Sequence, residues 1–166
     1  KEILNNFEKH NWVYLSPPKD QSKISTSSIL PEGEGIIISS GGSSGGPNLC
    51  FQSIKNLTSS ALATGKWLKH HGLEPNECII LNSLPLHHIS GFMPWWRHQT
   101  WQSEYHWISH SIMHKPLKLR QFSEALTQKY RRPLITSLVP TQLLSLINDP
   151  DGLEWLQSLA IIWVGG

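Results

Sequence analysis

Apolar residues gather in short runs separated by polar, glycine-rich or proline-containing stretches. Residues 1–15 predict a short helix leading into Trp12-Val13-Tyr14-Leu15, a run with strand character. Pro17-Pro18 stops any regular element, and the polar, serine-rich residues 19–34 predict a connecting loop. Gly35-Ile36-Ile37-Ile38 predicts a buried strand. It runs straight into residues 39–47, SSGGSSGGP, for which neither helix nor strand is predicted.

The period then changes. Ile54, Leu57, Ala61, Leu62, Gly65 and Leu68 recur near helical spacing, with Ser53 as N-cap and Gly72 as the stop, so a helix is predicted over residues 53–71. Cys78-Ile79-Ile80-Leu81 predicts a second buried strand, and residues 90–101 a helical or irregular segment. A strand follows near Tyr105 to Ser109, then a helix over 121–130 with Phe122, Ala125, Leu126 and Tyr130 on its apolar face. Leu134 to Leu138 predicts a strand, Pro140 opens a helix through Ile147 at its N1 position, and Leu159 to Val164 predicts a last strand. Strands alternating with helices predict an α/β fold, a mostly parallel sheet flanked by helices.

Composition narrows the class. The 166 residues match one domain by length, and the 39% hydrophobic content with 12 Gly excludes disorder, collagen and coiled coil. Net charge is +2, from 14 basic and 12 acidic residues, so nothing marks a nucleic-acid partner or an anionic membrane. No run approaches the ~18 apolar residues of a membrane span. The polar N-terminus lacks the apolar core of a signal peptide, and the expected location is cytoplasmic. Cys50 and Cys78 form no C-x-x-C and are expected to be reduced thiols. The chain starts without Met and stops on Gly165-Gly166 directly after an apolar run, so both ends read as cut.

The chemistry concentrates after the first isoleucine run. Four glycines let the backbone approach a ligand closely, successive free N–H groups form an anion-binding hollow, and four serine hydroxyls add donors, which suits a triphosphate. The segment lacks the Lys of G-x-x-x-x-G-K-[ST] and passes into Pro47-Asn48 rather than directly into a helix, which sets aside the Walker A and dinucleotide loops. A flexible linker is the plain alternative. Gly42-Ser43-Ser44-Gly45-Gly46 also fits the G-x-S-x-G nucleophile elbow. That motif needs an acid and then a His later in the chain, but Asp149 and Asp151 follow the last histidine, His114.

About forty residues on stands Leu84-Pro85-Leu86-His87-His88-Ile89-Ser90-Gly91. The two motifs together resemble the acyl-adenylate-forming (AMP-binding) superfamily. Ser40-Gly41-Gly42-Ser43-Ser44-Gly45-Gly46-Pro47-Asn48 resembles its phosphate motif T-S-G-[ST]-T-G-x-P-K, and the second segment its L-P-[LM]-x-H-x-x-G. Val139-Pro140-Thr141 and Ile161 to Gly166 resemble its later VPT segment and the strand entering its acyl-pocket glycines. Within the superfamily, the Gly41 to Gly45 sequence and His88-Ile89-Ser90-Gly91 with Trp96-Arg97 look most like the 2-succinylbenzoate–CoA ligases of menaquinone and phylloquinone synthesis.

The resemblance implies an ATP-dependent acid–CoA ligase. A carboxylate attacks the α-phosphorus of ATP, giving an acyl-adenylate and pyrophosphate, and the CoA thiol then displaces AMP. It implies that Ser40, Gly41, Gly42, Ser43, Ser44, Gly45 and Gly46 hold the phosphates and that His88 is the catalytic residue, ordering the carboxylate. Ser90, Gly91, Thr141, Gly165 and Gly166 would line the acyl pocket. A second, unreactive carboxylate would need an Arg, for which Arg97 is the candidate. ATP, Mg²⁺ and CoA would be required, a small carboxylic acid would be the partner, and no metal ligand within this chain is assigned. Residues 1–34 would be an N-terminal segment and linker, and 35–166 part of an AMP-binding domain. Asn48 replaces the usual Lys, and Gly41 stands where the motif has Ser. The family's Mg-binding Glu, ribose-binding Asp and late Lys would lie beyond Gly166. The chain alone is therefore expected to be inactive, and a non-catalytic nucleotide-binding module or a ligase for another aryl or fatty acid are the alternatives.

Other features are read plainly. His106, His110 and His114 are spaced i, i+4, i+8, but a strand there would not gather all three, so no zinc site is predicted. Trp95, Trp96, Trp101 and Trp107 are expected to pack in a core or interface. The sequon Asn56-Leu57-Thr58 and the pair Arg131-Arg132 carry no functional reading.

Overall fold

A computed structural model describes residues 11–17, 30–40 and 48–165, and two sheets share them. The smaller has three strands in the order β1 (Trp12–Leu15), β2 (Gly35–Ser40), β3 (Asn48–Ser53). β1 runs parallel to β2, and β3 antiparallel to it. The larger has four strands in the order β5 (Glu104–Trp107), β4 (Ile79–Asn82), β6 (Leu134–Leu138), β7 (Ile161–Val164), all parallel. Among the described residues are six α-helices: α1 (Ile54–His70), α2 (Ile89–Trp101), α3 (His110–Met113), α4 (Pro116–Tyr130), α5 (Pro140–Ile147) and α6 (Pro150–Gln157). This is the α/β architecture that the alternation of elements predicts.

The large sheet is buried on both faces, as parallel sheets are. Ile79 and Leu81 point to one side, into a core with Leu119, Leu126, Leu146, Trp155 and Leu156. Cys78 and Ile80 point to the other, against Leu68, Trp101 and Ile135. Indole N–H groups in these cores are satisfied: Trp155 donates to Ser123 Oγ at 2.7 Å and Trp101 to the Ala61 carbonyl at 2.9 Å. A third core joins the small sheet to α1 and α2 through Ile36, Ile38, Leu57, Ala61, Phe92 and Trp96. Tryptophan thus packs internally at positions 96 and 101, while Trp107 is half exposed.

Several boundaries differ from the pattern. Ser39 and Ser40 are not loop residues: they extend β2 and pair with Leu49 and Asn48 of β3, a strand the apolar pattern did not announce. Hydrogen bonding along the hairpin supplies what these polar side chains lack in strand propensity. Ser53 ends β3 and caps α1, its Oγ accepting from Asn56 N at 3.2 Å, and Gly72 follows the helix with φ +76° as a stop requires. α2 is a regular helix despite Pro94, which sits inside it. α4 starts five residues before the predicted 121, because Pro116 is preset for a first helical turn. The Tyr105 to Ser109 strand ends at Trp107, α3 opens at His110, and the last strand starts at Ile161 rather than Leu159. α6 was not predicted at all. Asp149-Pro150-Asp151-Gly152 has turn composition, yet Asp149 accepts from Gly152 N at 3.0 Å and caps a helix. The helix expected before Trp12 and most of the 19–34 loop lie outside the described residues. Among the described residues no helix is long and apolar enough to cross a membrane.

Candidate functional site

The organising residue is Asn82, at the end of β4 and fully buried. Its Nδ2 donates to the Gly91 carbonyl at 2.8 Å and to Tyr105 Oη at 3.0 Å, while its Oδ1 accepts from Leu84 N at 3.0 Å. One side chain therefore ties the strand end, the 84–91 segment and the neighbouring strand together. The sequence reading missed it. The only signal was an Asn directly after an apolar strand, and Asn is also an ordinary turn residue.

The 84–91 segment folds back tightly. His88 N donates to the Pro85 carbonyl at 3.1 Å, and Gly91 N and Phe92 N donate to the His88 carbonyl at 3.0 and 2.9 Å, starting α2. A Cβ on Gly91 would stand 2.2 Å from the carbonyl oxygens of Leu84 and Pro85, so only glycine fits. His88 is the N-cap residue of α2 and is exposed; its ring lies 4.4 Å from that of His87. Burial, aided by the neighbouring His88, pushes the His87 pKa down.

α2 divides the molecule. Phe92 and Trp96 face the small sheet, whereas Ser90, Pro94 and Arg97, at i, i+4 and i+7, line a cavity on the other side. Pro94 has no N–H, so the Ser90 carbonyl beside the cavity receives no bond from it. Ser137, Leu138, Trp163, Val164 and Gly165, at the ends of β6 and β7, form the opposite wall. The cavity holds about 250 Å³ and lies at the carboxyl ends of the parallel strands, where open α/β sheets bind ligands.

Arg97 is the charged group here. Its Nε is buried without a hydrogen-bond partner, and among the described residues no carboxylate reaches it. The guanidinium carbon lies 4.6 Å from the centre of the Trp163 ring, and burial lowers the Arg97 pKa to about 10. Trp163 went unremarked in the sequence; its strand position gave no sign that an arginine would lie over it.

Three of the expected acyl-pocket residues, Ser90, Arg97 and Gly165, meet at this cavity. Gly91 lies behind it, packed on the Leu84 and Pro85 carbonyls. Thr141 does not reach it: it lines a separate cavity with His110, His114 and Gln142. Ser40 ends β2 opposite Asn48. Gly41, Gly42, Ser43, Ser44, Gly45 and Gly46 lie outside the described residues, as does Gly166. Cys50 and Cys78 are free thiols, and burial raises the Cys78 pKa to about 11.

No family model and no curated protein sequence matches the chain. Solved structures do. An o-succinylbenzoate CoA synthetase from Bacillus subtilis, in complex with the acyl-adenylate intermediate OSB-AMP, matches with 20% identity and a TM-score of 0.56, covering 79% of this chain and 24% of that one. The same synthetase with ATP and magnesium ion matches equally well, at 20% identity and 0.56 over 79% and 25%. The inhibitor-bound N-terminal domain of FACL13 from Mycobacterium tuberculosis matches at 15% and 0.55, over 79% and 30%. The chain spans about a quarter of the length of the synthetase chains it matches. The described residues thus share the fold of the matched parts of these structures.

Proposed function

We propose that this chain is the ATP- and acyl-binding part of an AMP-forming acid–CoA ligase whose acid is 2-succinylbenzoate. The observation that carries this reading is Arg97, a cation without an acid partner in a mostly apolar cavity. A buried charge is costly unless paired, and a carboxylate matches a guanidinium with two parallel hydrogen bonds. An acid bearing an unreactive carboxylate beside an aromatic ring would pair with Arg97 and lie along Trp163. About 250 Å³ is small for a ligand pocket, and with a cation in its wall it suits a compact diacid better than a long acyl chain.

In this reading the reactive carboxylate points from the cavity toward His88, which stands between the lining residues Leu84 and Ile89. His88 orders it for attack on the α-phosphorus of ATP. The residues Ser40 to Gly46 hold the outer phosphates through backbone N–H groups and serine hydroxyls. Mg²⁺ would enter with the triphosphate and neutralise its charge. CoA would complete the reaction by displacing AMP. The chain's own contribution is positioning and electrostatic stabilisation. Gly166 stays assigned to the acyl site by resemblance, Thr141 does not because it lines the other cavity, and Gly91 supports the site by allowing the tight 84–91 turn. Localisation in the cytoplasm, with reduced thiols, belongs to the same proposal.

The test is acid-dependent ATP–pyrophosphate exchange by the full protein with 2-succinylbenzoate. Exchange supports the reading; nucleotide binding without exchange would leave a non-catalytic module, and exchange only with other acids would remove the substrate. His88→Ala is expected to slow exchange by about tenfold or more, the usual contribution of one catalytic group. An unchanged rate would take His88 out of its role.

A further inference from the structure

We infer that His110 and His114 form a binding site for a transition-metal ion of borderline softness, with Cu(II) held most tightly. Because the Tyr105 to Ser109 strand gives way to α3 at His110, His110 opens that single turn and His114 is its C-cap residue, which brings the two imidazoles together. Their Nε2 atoms are hydrogen-bonded at 3.0 Å, with ring centres 4.2 Å apart, and an ion would replace the shared proton. Two nitrogens bound to one ion at about 2.0–2.1 Å, with an angle of about 90–110°, lie roughly 2.9–3.4 Å from each other. The pair therefore already has the spacing of a chelate, and it is exposed enough for an ion to reach.

The surroundings select the ion. His110 and His114 line a cavity of about 300 Å³ with Met113, Val139, Thr141, Gln142 and Ser145. No carboxylate lines it, so hard ions such as Mg²⁺ and Ca²⁺ find none of their preferred donors. Imidazole suits Cu, Ni and Zn, the buried Met113 brings a thioether, and Cu(II) heads the divalent order for nitrogen sites. The Gln142 side chain is engaged with Val139 N and Ser83 Oγ, which leaves the Thr141 and Ser145 hydroxyls as the polar groups facing an ion or its waters. His106 takes no part: its Nε2 lies 3.3 Å from Glu104 Oε1 and its ring against Phe122. The site is independent of the ligase reading and gives Thr141 surroundings apart from the Arg97 cavity.

The test is titration of the metal-free protein with copper sulfate, followed by electron paramagnetic resonance. The tightest site is expected to bind one ion with nitrogen hyperfine structure. His110→Asn and His114→Asn should each weaken it by more than about a hundredfold, beyond what loss of a supporting partner costs. His106→Asn should leave it unchanged, and excess Mg²⁺ should not displace the ion. Both target side chains are exposed, and circular dichroism checks that the variants fold. Footprinting the unaltered protein with diethylpyrocarbonate and mass spectrometry gives a second reading: Cu(II) should protect His110 and His114. A tightest site that survives both substitutions, or absence of that protection, would overturn the proposal.

Discussion

Two arginines on neighbouring parts of the chain live in opposite circumstances. Arg120, on α4, is surrounded by acids: Glu124 one turn on, Asp151 at 3.1 Å and Glu154 in direct contact, the last two on α6. Its charge is answered within the protein, and it fastens one helix to another at the surface. Both arginines have an Nε buried without a hydrogen-bond partner, but Arg97 has an indole for a neighbour and, among the described residues, no acid. The contrast teaches that an ion pair satisfied inside the chain marks architecture, whereas a desolvated charge left open in a cavity marks where something else is meant to bind.

The comparison can be broken in three places. The largest effect falls on the frame that holds the Arg97 cavity open. Asn82→Leu leaves the Gly91 carbonyl, Leu84 N–H and Tyr105 hydroxyl without their partner and should cost about 2 kcal/mol of stability in denaturant unfolding. A smaller loss than R120A shows would mean that the 84–91 turn holds itself.

Arg97→Met should have the opposite sign, stabilising the ligand-free protein by about 1 kcal/mol, because it removes a charge with no partner. A destabilised R97M protein would mean that the guanidinium is structural.

The smallest effect is expected from Arg120→Ala. It should lower the unfolding midpoint slightly in low salt and hardly at all in high salt, since exposed pairs are screened. It should leave acid-dependent chemistry untouched.

Much of the architecture was legible because each signal was local. The Ile36 to Ile38 and Ile79 to Leu81 runs, the Ser53 cap with the Gly72 stop, and Pro140 at a helix start all came through. β3 and α6 did not, because Asn48 and the Asp149 to Gly152 stretch have turn composition that tertiary packing overrode. At the site, Arg97 could be singled out from its place after the His-Gly turn, but Trp163 and Asn82 could not. Their roles depend on which strands become neighbours, and that is set by the parallel order β5-β4-β6-β7 rather than by adjacency in the chain. The His110–His114 pairing was hidden by a boundary error of a few residues, enough to exchange a strand's alternating faces for a helical turn.

The most direct measurement compares 2-succinylbenzoate with its analogue lacking the unreactive carboxylate, in pyrophosphate exchange by the unaltered and R97M proteins. The unaltered protein should prefer the diacid, and R97M should lose about a hundredfold in kcat/KM for it (roughly 2.7 kcal/mol) while handling the monoacid as before. An R97M protein that still discriminates between the two acids would contradict the assignment of Arg97 as the carboxylate anchor.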